Sequence, residues 1–427
     1  PPPPPPPPPT RQSSSAASDV YKRQLSQNGL PIPGNVQTYI GPHWGYVTSF
    51  ALPPSPTGTP IDPGPPPRLG DPPTDAEFKQ AAVDVLRDSS LLDPSQSEVI
   101  DISPASMGNN ALGTNDGSGY DVNPATGEPY RPEPAVAADL YRAIAEYWAD
   151  GPTSETPPGH WNLLANSVAD TPGFERRLAG EGPELDPLEW DVKTYFALNG
   201  ATHDAAIAAW GLKSYHDSVR PISMIRYMGG LGQSSDPAGP SYDPDGLPLE
   251  AGLVEVITAE SAAPGEQHED LADHVGEIAV YAWRGAPDDP ETQTSGVGWI
   301  RAVDWVPYQR PTFVTPSFAG YVSGHSTFSR AAAEVLAGLT GTPYFPGGLA
   351  SWTVEKGALL HEEGPTEDID LQWATYFDAS DEAGISRLYG GIHIPQDDVE
   401  GRVIGAQVGQ GAWELARTYF DGTAESR

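Results

Sequence analysis

The chain has 427 residues, no cysteine, three methionines and a formal charge of 23 − 58 = −35. That charge repels nucleic acid and anionic membranes, and the missing cysteines exclude a disulfide framework or a thiolate metal site. No run of about 18 apolar residues could span a bilayer. With 38% hydrophobic residues and 11 Trp the chain can bury a sizeable core. A Lys-poor, acidic surface suits a salty or extracytoplasmic setting. The scarcity of oxidisable sulfur suits contact with strong oxidants.

Residues 1–24 open on nine prolines and contain DVYKRQ, which reads as an in-frame adapter translation. They are set aside as non-native, so the native leader is expected to be missing and secretion is the expectation. Residues 25–74 are rich in Pro and Gly and read as an extended wrapping segment, and 75–427 as one helical domain. TDAEFKQAAVDVLRDSSLL predicts a helix capped by Thr74. PAVAADLYRAIAEYWAD predicts an amphipathic helix starting at Pro134, and PPGHWNLLANSVAD another. Residues 188–228 are long enough for two helices, with a break near Asn199-Gly200 and an end by Arg220-Pro221. After an Asp/Pro/Gly-rich loop at 231–250, EIAVYAW is the best strand. HSTFSRAAAEVLAGLTG is an apolar helix ending at Gly, and IDLQWATYFDASDEAGISRLYGG is one helix or two. IPQDDVEGRVIGAQVGQGAWELARTYF is a last helix from Pro395, interrupted by glycines. The class is mainly α, a helical bundle with long irregular loops.

Three segments carry unusual chemistry. In KSYHDSVRP, Lys213 and Arg220 are seven residues apart, which predicts two cations on one helix face. In VSGHSTFSR, Ser323 is a plausible N-cap, Gly324 permits close backbone approach, and His325 lies in the first turn. In SRLYGGIHIPQDD, Arg387 precedes a Gly-Gly turn and His393 precedes Pro395, with Asp397 four residues on. Two of the three segments offer helix N-termini, which attract anions. Three cations, a hydroxyl, an amide and two imidazoles suit a tetrahedral oxyanion. One His can be nucleophile or ligand, the other acid or base, and Asp397 can fix the tautomer of His393.

Taken in order, these segments resemble the vanadium-dependent haloperoxidase and type-2 phosphatidic-acid-phosphatase superfamily, whose signature is Lys-x6-Arg-Pro, Pro-Ser-Gly-His and Ser-Arg-x5-His-x3-Asp. Val322 stands where the second part has Pro. The resemblance implies that Lys213, Arg220, Ser323, Gly324 and Arg387 bind the oxygens of vanadate or phosphate. It implies that His393 bonds vanadium or attacks phosphorus, that His325 is the acid–base group, and that Asp397 supports His393. Long separations between the three parts, and Trp210 and Phe318 as an aromatic halide-pocket wall, resemble soluble haloperoxidases more than compact acid phosphatases. YWADGPTSETPPGHWN is similar to a segment of that group in which an Asp, here Asp150, pairs with the acid–base His.

The implied cofactor is vanadate and the implied partners are hydrogen peroxide, a halide and a small organic acceptor, with an oligomer compatible. The implied activity is oxidation of halide to hypohalous acid. Alternatives are a phosphatase using a phospho-histidine intermediate and a non-catalytic oxyanion binder. HEDLADH at 268–274 reads as an exposed acidic helix, since its His spacing suits no zinc pattern. NDGSGYD and YDPDG offer oxygens to calcium but lack the full loop pattern, so turns are expected. His203 and His216 lie near the first motif and are left without a role.

Overall fold

The computed structural model describes residues 39–151 and 154–424. The 1–24 segment and residues 25–38 of the Pro/Gly-rich region lie outside the described residues. Among those described, eight α-helices dominate: α1 (Asp75–Ser90), α2 (Ala137–Tyr147), α3 (Pro157–Asp170), α4 (Pro187–His216), α5 (Pro221–Leu231), α6 (Gly324–Thr340), α7 (Tyr376–Tyr389) and α8 (Pro395–Phe420). Three small antiparallel sheets accompany them. β1 (Val99–Asp101) pairs β2 (Pro134–Val136), and β6 (Ala350–Val354) pairs β7 (Ile369–Trp373). β3 (Val254–Val256), β4 (Ile278–Trp283) and β5 (Val297–Arg301) lie in that order. The fold is mainly α, and no described helix is long and apolar enough to cross a membrane.

The larger core joins α2, α3, α4, α6, α7 and α8 around Trp148, Trp161, Trp190 and Trp373; the second joins α1 and α5 to the β3–β5 sheet. At the centre α8 lies against α6. A Cβ at Gly405 would meet Thr327 O at 2.6 Å, and one at Gly409 would meet Ala331 O at 2.5 Å. The glycines that weaken α8 as an isolated helix are thus what lets it touch α6.

Several expectations are corrected. Residues 188–216 form one helix through Asn199-Gly200. Gly200 is small because a Cβ there would meet the Phe50 ring at 2.6 Å, and the Asn199 side chain bonds Tyr195 O and Asn162. Pro134 opens β2, a position where its missing N–H is tolerated, and α2 starts three residues later. Residues 369–373 are a strand with alternate burial. Helix α7 begins after Thr375, whose side chain accepts from Asp378 N while Asp378 accepts from Thr375 N. Thr74 precedes α1 without capping it through its side chain. HEDLADH is a short 3-10 turn whose His268 is buried against Trp299 and bonded to Ser261.

Residues 39–62 lie along α4 as a strap. The Asp204 carboxylate accepts the backbone N–H groups of Phe50, Ala51 and Leu52 at 2.6, 2.7 and 2.9 Å. Trp210 Nε1 donates to Ile40 O, and His216 Nε2 meets Asp62.

Candidate active site

The ends of five helices meet at one place. Helix α4 ends at His216 because Asp217 adopts the left-handed conformation (φ 45°), so Arg220 is not two turns beyond Lys213 on one face. It is the N-cap of α5, held extended before Pro221. Lys213 and Arg220 converge through a turn of the chain and the intervening strand of backbone at 318–320. Lys213 Nζ donates to Ala319 O at 3.0 Å and Gly320 O at 2.7 Å. Arg220 donates from Nε to Phe318 O at 2.9 Å and from Nη1 to Ile392 O at 2.7 Å.

Ser323 caps α6, its Oγ accepting from Ser326 N, and its own N–H donates to Asp397 O at 2.8 Å, tying the starts of α6 and α8 together. The Gly390-Gly391 turn carries the chain from α7 to α8. Gly391 has φ 68°, and a Cβ there would meet Pro307 at 2.8 Å, so the turn needs glycine on two counts. The bend puts Arg387 and His393 at one cavity. His393 Nδ1 lies 2.8 Å from Asp397 Oδ2 and its Nε2 lies 3.0 Å from Arg220 Nη1. Arg220 can only donate, so Nε2 accepts and Nδ1–H donates to Asp397. The ring is neutral with its tautomer fixed. His325 Nε2 donates to Trp148 O at 2.7 Å, which leaves Nδ1 with the lone pair.

Charge is concentrated here. Lys213, Arg220 and Arg387 are 0%, 0% and 1% exposed. Neither Lys213 nor Arg387 has a carboxylate within ion-pair distance among the described residues. Burial, then Arg220, pushes the Lys213 ammonium well below its ordinary range, with Asp397 opposing. Burial pushes Arg387 down to about 9, with Asp150 opposing. Burial, then the neighbouring cations, holds His393 and His325 well below the usual imidazole range. Asp397 is pushed up to about 6 by burial, against the pull of Lys213 and Arg220. Buried cations without counter-charge are costly unless an anion joins them.

The cavity above these groups holds about 1000 Å³. Arg220, Gly324, His325, Arg387 and His393 line it directly. Trp210 and Phe318 form one wall with rings 5.0 Å apart, and Phe318 lies 5.4 Å from Lys213 Nζ and 5.2 Å from Arg220 Cζ. Lys213, Ser323 and Asp397 stand behind that lining. Asp150 sits at the exposed rim, its carboxyl raised by partial burial with Arg387 opposing. His325 bonds Trp148 O, and no bond joins it to Asp150 among the described residues. Thr153 and Pro152 of that segment lie outside the described residues. His203 lines the cavity and bonds Thr48 O.

Sequence reading missed the supports behind the site. Asp398 accepts from Ser326 Oγ at 2.7 Å and from Arg402 at 2.6 and 2.9 Å, and Arg402 also reaches Asp381. This buried network fixes α6, α7 and α8 to one another beneath the ligand set. The Asp398–Arg402 spacing of four on one helix was the available signal. Also missed were Glu382, which accepts from Trp148 Nε1 at 2.9 Å, and the cavity residues Phe328, Glu146 and His361.

The buried cations around a neutral, oriented imidazole form a site whose chemistry suits an anion. The family model for the VCPO second helical-bundle domain matches residues 193–422, more than half of the chain, and the chain belongs to that family. The structure is similar to that of an apo-type bacterial vanadium-dependent chloroperoxidase at 16% identity and a TM-score of 0.57, covering 95% of this chain and 62% of that one. It is also similar to a holo-type bacterial vanadium-dependent chloroperoxidase at 16% identity and a TM-score of 0.52, covering 94% of this chain and 60% of that one. The chain thus spans about three fifths of the length of these structures, and at such identity the likeness is one of fold. No curated protein matches.

Proposed function

We propose that the protein is a vanadate-dependent haloperoxidase that oxidises halide with hydrogen peroxide to hypohalous acid. The observation that carries this reading is the burial of Lys213, Arg220 and Arg387 around His393, whose Nε2 lone pair is held by Arg220 Nη1 alone among the described residues. An oxyanion would draw the Arg220 N–H to its own oxygens and release that lone pair to an electrophilic centre. The residues fit vanadate in chemistry and charge. His393 Nε2 would hold vanadium, and Lys213, Arg220, Arg387, Ser323 and the Gly324 amide its oxygens. Bound vanadate would supply a Lewis-acid centre that activates hydrogen peroxide toward halide. Net, hydrogen peroxide, halide and a proton give hypohalous acid and water.

The chain's own groups do the rest. His325, neutral and anchored through Nε2–H on Trp148 O, offers Nδ1 to take a proton from entering hydrogen peroxide. Asp397 holds His393 in the tautomer that presents Nε2. The Trp210–Phe318 wall excludes water from the side where halide would approach and strengthens every charge interaction there. Purified protein supplied with vanadate, peroxide and bromide should brominate a phenolic dye. Hydrolysis of nitrophenyl phosphate that vanadate inhibits, with no peroxide consumed, would favour the phosphatase reading instead. Neither activity, with vanadate still bound, would favour a non-catalytic binder.

A further inference from the structure

Hydrogen peroxide and a halide need only a small part of a cavity of about 1000 Å³, a volume typical of sites for whole organic ligands. On the wall formed by α2 and the 355–366 segment lies a second acid–base group. The Glu146 carboxylate accepts Tyr308 OH at 2.8 Å, Leu360 N at 2.6 Å and His361 N at 3.1 Å. Burial alone would raise it, but His361 and these donors together hold it below the ordinary glutamate range, so it is a fixed anion. His361 Nδ1 lies 2.8 Å from Glu146 Oε1, close enough to bond although not ideally aligned. The His361 side chain is only 7% exposed, yet it lines the cavity. With Nδ1 against the anion, Nε2 is the nitrogen available to a cavity ligand. No protein group bonds it among the described residues. Aromatic surface stands nearby: Tyr147 and Trp352 line the same cavity with rings 5.6 Å apart.

Resting on the reading above, we infer that this cavity holds an electron-rich phenol beside the oxyanion site, and that His361 is the general base that ionises it. A buried carboxylate against Nδ1 fixes the ring's orientation and turns Nε2 toward the cavity. The phenolic proton passes to His361 Nε2 as the ring carbon attacks the halogen of hypohalous acid. The new carbon–halogen bond forms as the halogen–oxygen bond breaks, expelling hydroxide. Hydroxide removes the proton from the substituted carbon to give water, and His361 returns its proton to the phenolic oxygen. The products are a halophenol and water. A purely structural role, pinning the 355–366 segment to α2, is the competing explanation.

Two readouts separate them. Without vanadate, 4-nitrophenol bound to the wild-type chain should show the long-wavelength phenolate band at a pH where the free probe is mostly protonated. His361→Asn, which keeps a donor for Glu146 and removes the basic nitrogen, should lose that band. With vanadate, peroxide and bromide, the rate ratio of a phenol to its methyl ether, which has no proton to give up, should fall at least tenfold in His361→Asn. An unchanged band or an unchanged ratio would overturn the inference, and His361→Gln repeats the test if the first variant does not fold. A wild-type chain that binds and ionises the probe but oxidises no halide would overturn the haloperoxidase reading while leaving the phenol site standing.

Discussion

Replacing Arg387 with Met should make the anion-free protein more stable while removing its response to vanadate. Burial holds this guanidinium at about 9 against 12.5 in the unfolded chain. A cation whose folded value is depressed destabilises the fold at every pH below that value, and the penalty fades only as pH rises from 9 toward 12.5. At about 1.4 kcal/mol per unit, roughly 5 kcal/mol opposes folding at neutral pH. Arg387→Met also loses the bonds to Ala145 O and Ser386 Oγ, about 1.5 kcal/mol each at the low end for a charged donor. The net gain is about 2 kcal/mol, a rise of a few degrees in melting temperature. Vanadate loses a charge-assisted donor worth about 1.5–3 kcal/mol, so its affinity should fall at least tenfold. Thermal unfolding with and without orthovanadate reads both effects, because a ligand that binds only the folded state raises the midpoint with concentration. A variant that melts lower than wild type and keeps the full vanadate shift would refute the claim that an uncompensated cation is stored there for an anion.

Three further outcomes follow from the same physics. Glu382 is raised from 4.5 to about 7, first by burial, so it favours the fold when protonated and that contribution is lost as pH rises through about 7. Glu382→Gln should therefore match wild type near pH 4.5 and exceed it by up to about 3 kcal/mol at pH 8, read from urea midpoints; an equal gap at both pH values would contradict the assignment. Asp204→Ala strands three backbone donors of the strap and should cost about 3–5 kcal/mol. Limited proteolysis should then cut within residues 39–62, and an uncut strap would show that Asp204 does not hold it. Phe318→Ala removes the ring lying beside both Lys213 and Arg220, admits water, and should raise the KM for halide more than it lowers kcat. A change confined to kcat would argue against a halide wall there.

The part of the site legible in the sequence was the part carried by rare residue types in fixed order: Lys213 with Arg220, Ser323-Gly324-His325, and Arg387 with His393 and Asp397. Helix type was legible where apolar periodicity was long, as in α4 and α6. What could not be read depended on distant partners. Asp217 ends α4 in a left-handed turn that no local pattern announces, so the route by which Lys213 meets Arg220 was misjudged. Gly200 looked like a break because the Phe50 ring that needs its missing side chain is 150 positions away. The alternation of Ile369, Leu371 and Trp373 was visible but overruled by the helical run that follows. His361 and Glu146, 215 residues apart, share no motif, and only the fold brings them to one cavity. Trp148 is a similar case, since it serves His325 through its backbone carbonyl, a role that leaves no mark on residue type.

The most direct measurement is a calorimetric titration of the purified protein with orthovanadate, run beside His393→Ala. Saturable binding at one vanadate per chain, weakened at least tenfold when His393 is removed, is the result expected of a buried cation ring around one imidazole. Absence of saturable binding, or binding indifferent to His393, would mean that the three cations and the imidazole gathered at the ends of α4, α5, α6, α7 and α8 do not form an oxyanion site.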